Sequence, residues 1–250
     1  MKKLFLFALL VALPLTAQEN FKAEFASPAF DQTDFDAPSG VFFFHLTKSA
    51  VGLNWFGELA FSRFEVAGQS ESHFGNPAIG LKFGRERNGF SLSANLPVGG
   101  ADNFAQAASL AAFADERFES FIPNALPIKV SAYRAFAVKP GYELRVKGSL
   151  LALYAYEQNP LDRAFSFYLP FNLASVNNFG GFEFGVAVSG NYFMSETQLN
   201  LAAATVFQVE FFTGYKLGRL KPMVGLKLPL DDDTAGYLRR TLRLGLSGSF

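Results

Sequence analysis

The chain has 250 residues, no cysteine, and 22 basic against 22 acidic side chains, so its formal net charge is zero. That balance argues against a nucleic-acid partner, and the lack of cysteine excludes disulfides and a lipidated cysteine anchor. Half of the residues are hydrophobic, with 31 Phe and 22 Gly, so the apolar surface must form either a large core or a lipid-facing band.

Met1-Lys2-Lys3 and the apolar run over residues 4–13 have the form of a charged segment followed by a signal-peptide core, and Pro14-Leu15-Thr16-Ala17 supplies a small residue for cleavage. The run is too short to cross a bilayer as a helix. A signal peptide is therefore expected over 1–17, followed by one domain over 18–250.

Beyond it the hydropathy repeats with a period of two, which in a strand separates two faces. Phe90, Leu92, Ala94, Leu96 and Val98 alternate with Ser91, Ser93, Asn95 and Pro97. Tyr142, Leu144, Val146, Gly148 and Leu150 alternate with Glu143, Arg145, Lys147 and Ser149. The same pattern recurs at 165–173, 182–189 and 220–228. Strands are predicted near 20–30, 41–47, 51–66, 74–84, 89–98, 127–138, 141–157, 163–174, 181–193, 198–216, 219–230 and 237–250. The fold expected is all-β: an antiparallel transmembrane β-barrel of about twelve strands, apolar face to lipid and charged face to the lumen. Without 20–30 and 41–47 it would have about ten. A soluble β-sandwich or lipocalin-like barrel would reverse those faces.

Connections alternate in length, as such barrels require. Residues 48–50, 85–88, 139–140, 175–180 and 217–218 are placed in the periplasm. Residues 31–40, 67–73, 99–126, 158–162, 194–197 and 231–236 are placed outside. Only 175–180 and 194–197 break the contrast. In the longest connection Phe104, Ala107, Ala108 and Ala111 follow helical spacing behind Asp102 or Asn103, predicting a short helix. It either enters the lumen as a constriction or covers the mouth.

The final segment sets Leu242, Leu244, Leu246, Gly248 and Phe250 on one parity and Thr241, Arg243, Gly245, Ser247 and Ser249 on the other. It resembles the C-terminal strand of Gram-negative outer-membrane barrels, whose terminal Phe is read as an assembly signal. The resemblance implies outer-membrane localisation. It also implies the bilayer, lipopolysaccharide and the barrel-assembly machinery as partners. Gly75-Asn76-Pro77-Ala78 through Gly84, with Gly89 through Pro97-Val98-Gly99-Gly100, resembles a hairpin of the small barrels grouped as meta-pathway phenol-degradation transporters. That resemblance covers about a tenth of the chain and implies passage of aromatic or other apolar solutes.

On the inward parity fall Lys22, Lys82, Lys129, Arg145, Lys147, Lys216, Lys221, Lys227, Arg239 and Arg243, opposed by Glu24, Glu58, Glu143, Glu183 and Glu210. Cationic rings favour anions, although cross-strand ion pairing alone would produce a similar pattern. His45 and His73 sit in no catalytic motif, and Asp231-Asp232-Asp233 reads as a solvated turn or a loose cation site. No catalytic, metal or cofactor residues are assigned. The function expected is a passive channel for small solutes, apolar or anionic. A closed structural or surface-interaction barrel is the alternative, and an outer-membrane enzyme is third.

Overall fold

The computed structural model describes residues 19–30, 39–50, 53–66, 68–85, 87–98, 117–155, 165–195 and 205–249. The expected signal peptide, the helix expected around 104–111 and Phe250 lie outside them.

Alternating stretches become strands β1 (Glu19–Phe30), β2 (Gly40–Ala50), β3 (Leu53–Val66), β4 (Gln69–Phe74), β5 (Ala78–Arg85), β6 (Asn88–Asn95) and β7 (Ala125–Lys139). They continue as β8 (Tyr142–Ala155), β9 (Phe165–Phe179), β10 (Phe182–Phe193), β11 (Thr205–Tyr215), β12 (Leu220–Pro229) and β13 (Leu238–Ser249). Neighbours pair antiparallel, and β1 pairs with β13 from Asn20↔Ser249 to Phe30↔Leu238, closing the barrel. β4 and β5 share one place in the wall. β4 pairs with β3 from Phe61↔Phe74 to Val66↔Gln69, and β5 pairs with its other end from Asn54↔Lys82 to Glu58↔Ala78. The barrel thus has twelve strand positions and one extra strand, and both β1 and β2 belong to it.

The strand faces follow the sequence parity. Phe44, Phe90, Leu150, Phe184, Phe211 and Leu244 are exposed on the outer surface, while Glu24, Ser166, Lys227 and Thr241 are buried inside. A soluble barrel would show the opposite arrangement. Closure satisfies the backbone groups strand to strand, so the apolar exterior can face lipid without unpaired edges.

Two expected connections differ from those found. β9 continues to Phe179, so the supposed 175–180 loop reduces to Gly180 and Gly181, both at positive φ, which glycine adopts without a Cβ clash. β11 is described from Thr205, and residues 196–204 lie outside the described residues. The 175–180 exception to the length contrast disappears. Conversely, 67–73 is mostly strand, because Gln69–Phe74 folds back on β3 as a hairpin projecting at the loop end.

Short turns therefore gather at one end, which is the periplasmic end by the rule for such barrels. Single cysteines at Ala235 and Asn88 test this in intact cells with an impermeant maleimide. Ala235→Cys is expected to label rapidly and Asn88→Cys only after outer-membrane permeabilisation; equal rates would reverse or abolish the topology.

Candidate functional site

The loop-side half of the lumen is filled by a plug. The 3-10 turn Phe118–Phe121 is buried between two groups of inward-facing side chains. Phe121 joins Ala26, Phe30, Val41, Phe43, Phe64 and Leu238 on the β13–β1–β2–β3 wall. Phe118 and Ile122 join Ala125, Leu151, Leu153, Tyr168, Phe193 and Val206 on the opposite wall. The end of the long connection, residues 117–122, thus enters the lumen, while the helix expected ahead of it lies outside the described residues.

A break in the wall holds the plug. Between β4 and β5, Gly75-Asn76-Pro77 leaves the ladder, and Asn76 turns inward. Its backbone N–H donates to Ser120 O at 2.6 Å and its Nδ2 donates to Ile122 O at 2.7 Å. Asn95 Nδ2 on β6 donates to Asn76 O at 3.2 Å and fixes the break from the other side. Gly75 is required for this approach, because a Cβ there would stand 2.6 Å from Ser120 O and 2.9 Å from Ala60 Cβ. Two ion pairs complete the anchorage. Glu119 meets Lys129 at 2.7 Å, and Arg117 meets Glu24 at 2.5 Å while lying over the Phe43 ring.

Below the plug the two walls differ. On one, Glu24 is bridged to Lys22 at 2.6 Å and to Arg243 at 2.5 Å, and Arg243 also reaches Glu210 at 2.8 Å. Glu210 lies across Gly225, where a Cβ would meet its Oε1 at 2.5 Å, so the glycine makes room for the carboxylate. Glu183 joins Arg145 at 3.1 Å and Lys221 at 2.6 Å, and Glu143 joins Arg145 at 3.2 Å. These side chains interlock across strands and occupy the lumen on their side. Facing them across β5–β9, beyond the Glu143–Arg145 end of β8, Ser91, Ser93, Ser131 and Ser149 stand between Lys82, Lys129 and Lys147. A cavity of about 490 Å³ remains there, lined by seven lysine or arginine side chains and two carboxylates.

Of the residues expected in the lumen, Lys82, Lys147, Lys227 and Arg243 line this cavity, while Arg145, Glu183, Glu210 and Lys221 form the ion-paired wall. Arg239 does not keep its expected place. A bulge between Ala29↔Arg240 and Phe30↔Leu238 shifts the parity, so Leu238 faces inward and Arg239 is exposed. Lys216 lies in the exposed turn beyond β11. The sequence reading missed Arg117, Glu119, Asn76 and Asn95. Of these, only the Gly-Asn-Pro interruption left a local mark. Leu242, Leu244 and Leu246 face outward at the end of β13.

The histidines find partners. His45 Nε2 lies 3.0 Å from Thr47 Oγ1, its Nδ1 lies 3.5 Å from Glu58, and its ring stacks on Phe56. This is a hydroxyl–imidazole–carboxylate order, but the hydroxyl is secondary and sits on a strand whose amides are engaged in the ladder. His73 is buried against Phe121. Asp231 caps the short helix α1 (Asp232–Ala235), accepting from Thr234 N at 2.8 Å, and also accepts from Phe207 N at 2.6 Å. The aspartate run therefore serves loop geometry.

No family model and no curated protein sequence matches the chain. Among solved structures, an outer-membrane channel from Pseudomonas putida F1 is similar with a TM-score of 0.64 at 12% identity, over 96% of this chain and 97% of that one. The NanC porin follows with 0.55 at 7% identity, over 93% and 100%. LpxR from Salmonella typhimurium gives 0.52 at 10% identity, over 92% and 100%. These likenesses agree with the strand pairing: the fold is that of an outer-membrane β-barrel.

Two substitutions test the internal packing. Gly75→Ala should unseat the plug and speed amide exchange at Asn76, with a loss of about 1–3 kcal/mol for overpacking a closed site; unchanged exchange would show that the plug is held elsewhere. Glu24→Gln, which leaves Lys22, Arg117 and Arg243 around a neutral group, should destabilise the barrel by about 3 kcal/mol in urea unfolding. Lys22→Gln should have a smaller effect, because Lys22 is more exposed.

Proposed function

We propose that the chain is an outer-membrane channel for small solutes, closed at rest on its loop side by the plug and opened when that segment moves. The observation that carries this reading is the division of the lumen. A barrel built only as a scaffold would be filled by its own strand side chains, whereas here a loop-borne element fills one half and a charged cavity of about 490 Å³ occupies the other. The plug is bound to the wall by a handful of polar contacts, the kind that can exchange for water when a segment moves.

The mixed polar lining favours hydrophilic solutes. The hairpin resembling phenol-degradation transporters favours aromatic or apolar ones, and its Gly75-Asn76-Pro77 portion has a separate reason to exist in the plug clamp. The outward Leu242, Leu244 and Leu246, with Gly248 and the terminal Phe250, fit an assembly signal for the barrel-assembly machinery; lipid and lipopolysaccharide are the surrounding partners. We infer no catalytic role, since the hydroxyl of the Thr47–His45–Glu58 set is secondary and Glu58 is shared with Arg117 in the ion pairing of the lumen. The rival reading, a permanently closed structural barrel, draws on the apolar seating of Phe118, Phe121 and Ile122.

Planar-bilayer recording on refolded protein separates the two. Wild type is expected to conduct weakly or intermittently, and Asn76→Ala with Glu119→Gln should raise the open fraction. Silence in both proteins, with folding intact, would leave the structural barrel as the better account.

A further inference from the structure

We propose that the β5–β9 wall carries a binding station for a small hydroxylated anion, a carboxylate or a phosphate, at the neck between the central cavity and the periplasmic vestibule. The proposal takes the substrate class of the channel reading one step further, but the site is argued from wall chemistry.

Strand register sets two inward rows side by side. In one, Lys82, Ser91, Ser131 and Ser149 are successive cross-strand partners over β5 to β8, and the Ser131 and Ser149 hydroxyls lie 2.8 Å apart. In the next, Gly89, Tyr133, Lys147 and Asn172 are partners over β6 to β9. The rows meet where Lys82 Nζ sits 5.0 Å above the Tyr133 ring. Gly89 lets that ring lie against the wall, since a Cβ would stand 2.6 Å from its hydroxyl. Small side chains thus leave space in front of this wall, whereas the ion-paired wall fills its own.

Charge supports the same site. The two carboxylates lining the cavity are engaged, Glu119 with Lys129 at 2.7 Å and Glu58 with Arg117 at 3.4 Å and His45 at 3.5 Å. Counting Glu24 and Glu210, which pair Lys22, Arg117 and Arg243 of the lining, seven cationic side chains face four carboxylates, and the field in the cavity is positive. Lysines offer donors to an anionic group. Serine hydroxyls and the Asn172 amide both donate and accept, which suits alcohol groups on the same ligand. The cavity volume of about 490 Å³ falls within the range of small-molecule sites. Tyr133, Lys147 and Asn172 line both the central cavity and a vestibule of about 510 Å³ with Arg87 and Glu143 at its rim, so the station stands where the two adjoin, on the side away from the plug.

Titration calorimetry on the refolded full-length barrel at low salt, with glucose 6-phosphate, glucuronate and glucose as probes, tests the station. The charged probes should bind and glucose should not; the tighter of the two identifies phosphate or carboxylate as the preferred group. Lys82→Gln and Lys147→Gln should each weaken binding about tenfold, the scale of one lost charge-assisted hydrogen bond, while Lys139→Gln at the exposed end of β7 should not. If Lys147→Gln fails to fold, Lys82→Gln carries the test. Equal binding of glucose, no binding of either anion, or undiminished affinity in folded lysine variants would overturn the proposal. Binding in a barrel that never conducts would uphold the station and refute the channel. Conduction without binding would do the reverse.

Discussion

Everything inside this barrel depends on the antiparallel seam between β1 and β13. Closing the sheet pairs its two edges, which is the condition for a β-structure to sit in hydrocarbon. Closure fixes which parity meets lipid, so the Phe- and Leu-rich faces turn outward and the charged faces are confined to a lumen. Twelve strand positions then enclose more space than strand side chains readily fill. The chain fills it in two ways: an inserted turn in the loop-side half, and interlocked arginine–glutamate pairs along one wall below.

Those two devices leave an off-centre polar space against the serine and lysine wall. The asymmetry has a physical origin. Glu24, Glu183 and Glu210 each sit among guanidinium or ammonium groups from neighbouring strands, so the charges on that side neutralise one another at close range and hold the strands in register. Removing one partner of such a set leaves the others buried without compensation, which is why that wall is structural. The opposite wall, with small residues between its lysines, has room for a guest. The plug bounds one end of that space and the vestibule adjoins the other.

Much of the wall was legible in the sequence, because Arg243 between Leu242 and Leu244, or Lys147 between Val146 and Gly148, declares its face by period alone. Parity fails where the backbone departs from the ladder. The bulge near Arg239 turns that side chain away from the lumen, and no local pattern announces it. β4 carries no period of its own, because Gln69, Ser70, Glu71 and Ser72 are polar on both faces, as suits a hairpin projecting beyond the lipid. The plug was the least legible part. Residues 117–122 have no repeat of their own, and their contacts with Asn76 and Asn95 join positions far apart in the chain. The Gly75-Asn76-Pro77 break is visible as part of a glycine-rich hairpin, but its role depends on a partner distant in the chain, Ile122.

The central claim is that the seated turn is a movable gate. Cysteines at Asn76 and Ser120, whose backbones are 2.6 Å apart across one hydrogen bond, would tie the plug to the wall in a chain that has no other thiol. The most direct measurement is the conductance of that single variant in a planar bilayer, before and after a reductant is added. The account predicts a silent barrel when oxidised and openings when reduced. Equal conductance in the two states would show that ions pass without the plug moving and would contradict it.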